Sequence, residues 1–126
     1  MEAESRRMLA GYILQQRIAV GGMAEIFRAV RAGPFEFAKA VAIKTVLPDL
    51  ARDPSFVQMF LQEARLGAQL SSPHLVQVFD VGEDAGTYYL VMEFVDGVDL
   101  ATLLGAEGAL PADIAIHLGR QLCAAL

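Results

Sequence analysis

The stretch Ile18–Phe27, IAVGGMAEIF, can be folded in two ways, and the choice decides the architecture. The preceding residues, GYILQQRIAV from Gly11 to Val20, are rich in Ile, Tyr and Val and predict a β-strand. Gly21-Gly22 is a turn signal. If Glu25–Arg31 (EIFRAVR) is a second strand, the two glycines sit in a hairpin turn. If Met23–Val30 is instead a helix, they open it, and Ile26, Phe27 and Val30 also fit helical spacing. Glycine has no Cβ, so either form lets backbone amides approach a ligand closely, and an anion is the partner that such amides favour.

Outward from that point, the chain continues as further strands and helices. Arg31-Ala-Gly-Pro34 is a turn, and the run Phe35–Leu47 (FEFAKAVAIKTVL) alternates and becomes β-branched, predicting a third strand. After a connection from Leu47 to Asp53, Asp53-Pro54 has the form of an N-cap followed by proline at the first helical position. The helix it opens ends before Ser71-Ser72-Pro73. HLVQVFDVGE and TYYLVMEFV predict two more strands around the turn Glu83-Asp84-Ala85-Gly86. Asp99–Leu104 suits a short helix. Leu110-Pro111 opens a last one, whose apolar positions Ile114, Leu118, Leu122 and Leu126 recur up to the final residue with no closing signal. The expectation is a segment cut inside a helix.

Composition bounds the chemistry. The 126 residues are 55% hydrophobic and 20% charged, enough apolar content for a filled core and too much for a disordered chain. The net charge is −5 and there are two lysines, Lys39 and Lys44, so no basic surface for nucleic acid is expected. The single Cys123 excludes an internal disulfide and fits a reducing compartment. No apolar run reaches the ~20 residues of a membrane span, and the N-terminus lacks the apolar core of a signal peptide. A cytoplasmic location is the expectation, with a membrane anchor in a later segment of the parent left open.

Two positions carry candidate chemistry. On the long helix, Phe56, Met59, Phe60, Leu66 and Leu70 share a face at ~100° per residue, and Glu63 falls within that stripe. A carboxylate facing a core is costly unless a cation meets it. Lys44 ends the apolar strand Val41-Ala42-Ile43 and shares a face with Ala42. If the helix packs on the sheet the two charges meet, and the ammonium is held ready for an anion beside the glycine turn. The bland alternatives are a solvated lysine, a glutamate at the edge of its stripe and an ordinary hairpin.

The glycine turn, Val41-Ala42-Ile43-Lys44, the helix carrying Glu63 and YLVMEFVDG, in that order, resemble the N-terminal lobe of a protein kinase, most of all the bacterial serine/threonine kinases of eukaryotic type. The resemblance runs from about Tyr12 to Leu126. It implies an α+β fold: a five-stranded antiparallel curled sheet with one long helix, followed by the first helices of the C-lobe. The implied division is a flexible segment 1–10, an N-lobe and hinge 11–95, and a truncated C-lobe start 96–126. It implies ATP as cofactor and protein Ser/Thr hydroxyls as acceptors. Lys44 would contact the α/β-phosphates and pair with Glu63, the two catalytic assignments. The loop from Ile18 to Ile26 (Ala19, Val20, Gly21, Gly22, Met23 and Ala24 among its residues) would cover the phosphates. Ile18, Ile26 and Ala42 would sandwich the adenine. Met92 would stand at the back of the pocket, Glu93 and Val95 would bond adenine through their backbones, and Asp99 would lie near the ribose.

The chain departs from the family pattern in two respects. The G-x-G-x-x-G loop maps onto Ala19-Val20-Gly21-Gly22-Met23-Ala24, with alanines at both outer glycine positions. There is no H-R-D-x-x-x-x-N and no D-F-G stretch, so no metal ligand is assigned, and Mg²⁺ would be held only by residues absent from this chain. His117 lies within a helix and reads as a packing or boundary residue. Two further interpretations stand beside the kinase: a non-catalytic module, pseudokinase-like or partner-binding, and a dinucleotide-binding fold with Met23–Val30 helical. The second lacks an intact G-x-G-x-x-G and an acidic residue ~20 residues on.

Overall fold

The computed structural model describes residues 7–31 and 39–126, and in it Ile18–Phe27 is a β-hairpin. The elements are β1 (Met8–Leu9), β2 (Tyr12–Val20), β3 (Ala24–Arg31), β4 (Ala40–Val46), α1 (Pro48–Ala51), α2 (Pro54–Gln69), β5 (Val78–Asp84), β6 (Thr87–Glu93), α3 (Leu100–Glu107) and α4 (Ala112–Ala125). The turn expected at Arg31–Pro34 and the start of the third strand at Phe35–Ala38 fall largely outside the described residues, as do residues 1–6. No described helix is long and apolar enough to cross a membrane.

All strand pairs are antiparallel, in the order β1-β2-β3-β4-β6-β5. The five strands expected from sequence are present, and β1 makes a sixth. Met8–Leu9 therefore belongs to the sheet, not to a loose N-terminal segment. Leu9 is buried at 4% exposure, and that burial is what the polar composition of the first ten residues concealed. Both two-residue turns at the sheet edges are Ala-Gly pairs with positive φ at each position: Ala10 (50°) and Gly11 (87°), Ala85 (49°) and Gly86 (84°). That double positive φ matches the right-handed twist of the strands it joins.

The sheet curls because β2 is irregular. Its register against β3 shifts between Leu14 and Gln16 and again between Arg17 and Ala19, and such bulges bend and twist a strand. The curl brings the two edges of the sheet together. The Ala10 N–H, beside β1, donates to Asp84 Oδ2 at the end of β5 across 2.6 Å, half-buried. Leu9, Leu14, Phe27, Ala29, Val41, Ile43, Tyr89 and Val91 fill the concave side. Asp84→Ala strands that amide and is expected to cost about 1–3 kcal/mol. The readout is the thermal midpoint; an unchanged midpoint would mean that the edges hold without this bond.

The opposite face of the sheet takes α2. Asp53 caps the helix by accepting from the Ser55 N–H at 3.0 Å, with Pro54 in the first turn, as the sequence predicts. Val57, Phe60 and Ala64 are its buried residues, and Phe60 and Ala64 meet Val46 and Leu90 of the sheet. This line is rotated by roughly a quarter turn from the expected stripe, counted at 100° per residue. Met59, Leu66 and Leu70 are half or more exposed, and Glu63 is exposed. The cause is steric. The small residues Ala64 and Gly67 let the helix axis approach the sheet, and a Cβ added at Gly67 would sit 2.8 Å from Val78 Cγ2. Periodicity weighs bulky residues, whereas close approach selects small ones. Neither α3 nor α4 buries any residue.

Candidate functional site

Strand alternation places every second residue of β4 on the helix-facing side: Ala40, Ala42, Lys44 and Val46. Register aligns Ile26, Lys44 and Leu90 in one cross-strand row, and Arg28, Ala42 and Met92 in the next. Lys44 is half-buried between Ile43 and Thr45, which point to the other face and are buried at 0% and 3% exposure. An ammonium thus stands on an otherwise apolar row at the margin of the helix.

Lys44 and Glu63 come together without touching. Both line a cavity of about 90 Å³ with Met23, Ala24, Phe56, Met59 and Phe60. They make no ion pair within 4.0 Å; among the described residues Arg17–Glu25, at 3.4 Å, is the one that does. Because Glu63 is exposed, it imposes no burial penalty that a cation must relieve, contrary to the expectation from its stripe. Closing the pair requires a side-chain or helix movement across the cavity.

The glycine turn is closed by the Gly21 N–H donating to the Ala24 carbonyl at 2.9 Å. Gly21, Gly22, Ala19 and Ala24 all avoid positive φ, so alanine at the outer positions carries no conformational strain. A Cβ on Gly22 would meet nothing within 4 Å, and one on Gly21 only the Ala24 carbonyl at 3.8 Å. The fold does not demand these glycines. What they provide is two peptide units unobstructed by side chains. Ile18 and Val20 flank them at 48% and 57% exposure, while Ile26 is half-buried and Ala42 is buried.

At the other end of the row, Met92 is half-buried against the α2 cluster. Glu93 is tied to Gln77 twice: its N–H donates to the Gln77 carbonyl at 2.9 Å, and its Oε2 accepts from the Gln77 N–H at 3.3 Å. A ligand contact through the Glu93 backbone must therefore use its carbonyl. Val95 is 63% exposed. Asp99 caps α3, accepting from the Thr102 N–H at 2.6 Å, and the Thr102 hydrogen bonds hold its carboxyl below the usual carboxylate range. Local sequence pattern does not single out Arg28, whose guanidinium lies 5.4 Å from the Phe94 ring centroid and holds the segment after β6 against β3. The signal would have been a strand-borne arginine in register with Ala42, which needs the pairing to be known. A second cavity, of about 670 Å³, lies between α1, α2 and Tyr88 and contains neither Lys44 nor Glu63. Among the described residues no group of three His, Cys, Asp or Glu side chains could hold a metal.

These features have counterparts in known proteins. Residues 12–126 match the family model described as the protein kinase domain. The tyrosine-protein kinase MasK of Myxococcus xanthus is 45% identical over 97 residues, 77% of this chain and 15% of MasK. A probable serine/threonine-protein kinase of Streptomyces coelicolor is 44% identical over 125 residues, 94% of this chain and 16% of that protein. The crystal structure of the Mycobacterium tuberculosis PknI kinase domain, in a double-mutant form, superposes with a TM-score of 0.80 at 27% identity, covering 99% of this chain and 49% of that one. The chain thus spans about one sixth of its curated relatives and half of a kinase domain. With a family match from Tyr12 to Leu126, the chain belongs to the protein kinase domain family.

Proposed function

We propose that this chain forms the ATP-binding half of a serine/threonine kinase active site, serving transfer of the ATP γ-phosphoryl group to protein Ser or Thr hydroxyls. The observation that carries this function is Lys44. It is a lysine without an ion pair among the described residues, on an apolar sheet row beside a glycine turn and opposite a carboxylate. An unpaired, half-buried lysine is suited to an anionic ligand, and, with the Gly21 N–H taken by the Ala24 carbonyl, the Gly22 N–H of the turn adds a donor for the same charge.

The donor set fits a nucleotide. Lys44 would neutralise phosphate charge, and Glu63, once drawn across the cavity, would fix the ammonium's direction. Ala19, Val20, Gly21, Gly22, Met23 and Ala24 would roof the phosphates. Ile18, Ile26 and Ala42 would exclude water around the base, with Met92 behind it. The Glu93 carbonyl and the Val95 backbone would bond the base edge, and Asp99 would share its carboxylate between the α3 cap and the ribose. ATP supplies the phosphoryl group itself. The family generally uses Mg²⁺ as well; no described cluster fits the ion, and no step is assigned to it.

Protein acceptors suit a chain with net charge −5 and two lysines better than nucleic acid does, and ATP use suits a cytoplasmic location. The test is transfer from γ-labelled ATP by the intact kinase that carries this sequence, followed by phosphoamino-acid analysis. Label on serine or threonine is expected. Label on tyrosine alone would change the acceptor, as the name of MasK allows. No transfer at all would overturn the function.

A further inference from the structure

Met23 lies at the tip of the glycine turn, where the fold requires no large side chain, and its surroundings split the turn into two unlike halves. Gly21 and Gly22 touch almost nothing that a Cβ would meet. Met23 is anchored twice. Its carbonyl accepts from the Leu47 N–H at 3.1 Å, tying it to the end of β4. Its side chain lines the same 90 Å³ cavity as Phe56, Met59 and Phe60 of α2, together with Lys44 and Glu63. Met59 faces this cavity at 50% exposure, and Met23 is 60% exposed, so neither methionine is explained by core packing.

We infer that Met23 is a positioning residue that couples the glycine turn to α2: its thioether meets the Phe56–Met59 surface across the cavity, so the place of the helix sets the place of the turn. This rests on the kinase function proposed above. Lys44 and Glu63 are more than 4.0 Å apart, and the helix or its side chains must shift to pair them. Met23 and Met59 line the cavity that such a shift would cross. An unbranched thioether with three rotatable bonds follows such a movement and keeps contact throughout it. The Gly21 N–H holds the base of the turn to the Ala24 carbonyl, and an unobstructed Gly22 beside an anchored Met23 makes Gly22 the bending point. Closing Glu63 onto Lys44 then lowers the turn over the phosphates in the same movement.

The test is a double-mutant cycle in the intact kinase, with Met23→Ala, Met59→Ala, the double variant, Met23→Leu and Lys44→Met. Met23→Ala is expected to raise KM for ATP about five- to tenfold, up to about 1.4 kcal/mol, with a smaller change in kcat and an unchanged thermal midpoint. Met59→Ala is expected to act in the same direction. The double variant should be no worse than the poorer single by more than about twofold, since both remove one contact. Met23→Leu should restore most of the loss. A wild-type KM in Met23→Ala, additive single effects, no rescue by leucine, or a KM change that tracks a fall in thermal midpoint would each overturn the coupling. If Lys44→Met abolishes transfer while Met23→Ala behaves as wild type, the coupling alone fails. If Lys44→Met transfers phosphate normally, the kinase function of the site fails, whatever Met23 does.

Discussion

Lys44→Met in the intact kinase is expected to lower phosphotransfer by at least about 10²-fold, the cost of removing one preorganised donor from a developing charge, and to leave the fold intact. The second half follows from where Lys44 sits. It belongs to the helix-facing row with Ile26 and Leu90, is half-buried, and makes no ion pair among the described residues. Methionine keeps the unbranched stem, adds no polar group and orphans no partner. Thermal midpoint and circular dichroism should match the wild type while transfer is lost. Arginine at this position is no conservative control, because a planar five-donor fork does not occupy the space of a compact ammonium. Undiminished transfer by a folded Lys44→Met protein would remove the lysine from the mechanism.

The largest expected effect on stability is at Gly82. It pairs with Tyr89 across the β5–β6 hairpin, and the tyrosine ring lies over it: an added Cβ would stand 2.7 Å from the hydroxyl oxygen, 3.0 Å from Cζ and 3.3 Å from Cε1. Tyr89 is buried at 8% exposure within the concave core, so the ring has little freedom to retreat. Gly82→Ala is expected to destabilise by about 1–3 kcal/mol, as overpacking does. For a domain of this size that is a fall in thermal midpoint of roughly 4 °C per kcal/mol. Tyr89→Phe removes the nearest clashing atom and should return part of the loss, so the pair is non-additive. A Gly82→Ala protein that melts with the wild type would show that the ring yields freely.

The same tyrosine gives a dependence on pH. Burial pushes its hydroxyl up, and the charges of Asp80 and Asp84 push in the same direction. The folded state therefore keeps the phenol neutral where the unfolded chain ionises. Its contribution is full below the ordinary tyrosine range near ~10 and is lost as the pH rises through the raised value. Tyr89→Phe should flatten the alkaline limb of a stability profile.

Much of this protein was legible in its residues. Five strands, the Asp53-Pro54 helix start and the kinase resemblance follow from alternation, capping chemistry and the order of short motifs, all of which act over a few residues. Lys44 and Ala42 on one face follow from strand periodicity alone. Three things did not follow. Leu9 is core and Met8–Leu9 a strand because a bulged β2 curls the sheet until Ala10 meets Asp84, 74 residues away, and no local pattern encodes that distance. The buried line of α2 runs through Val57, Phe60 and Ala64 instead of the bulkier stripe, because the helix packs where small residues let it come close. The gap between Lys44 and Glu63, and the sharing of its walls with Met23 and Met59, depends on that rotation. Sequence determined most of the elements and which residues are candidates for the chemistry, since both are properties of short stretches. Tertiary structure decided which faces meet and at what distance, since those depend on how elements far apart in the chain pack together.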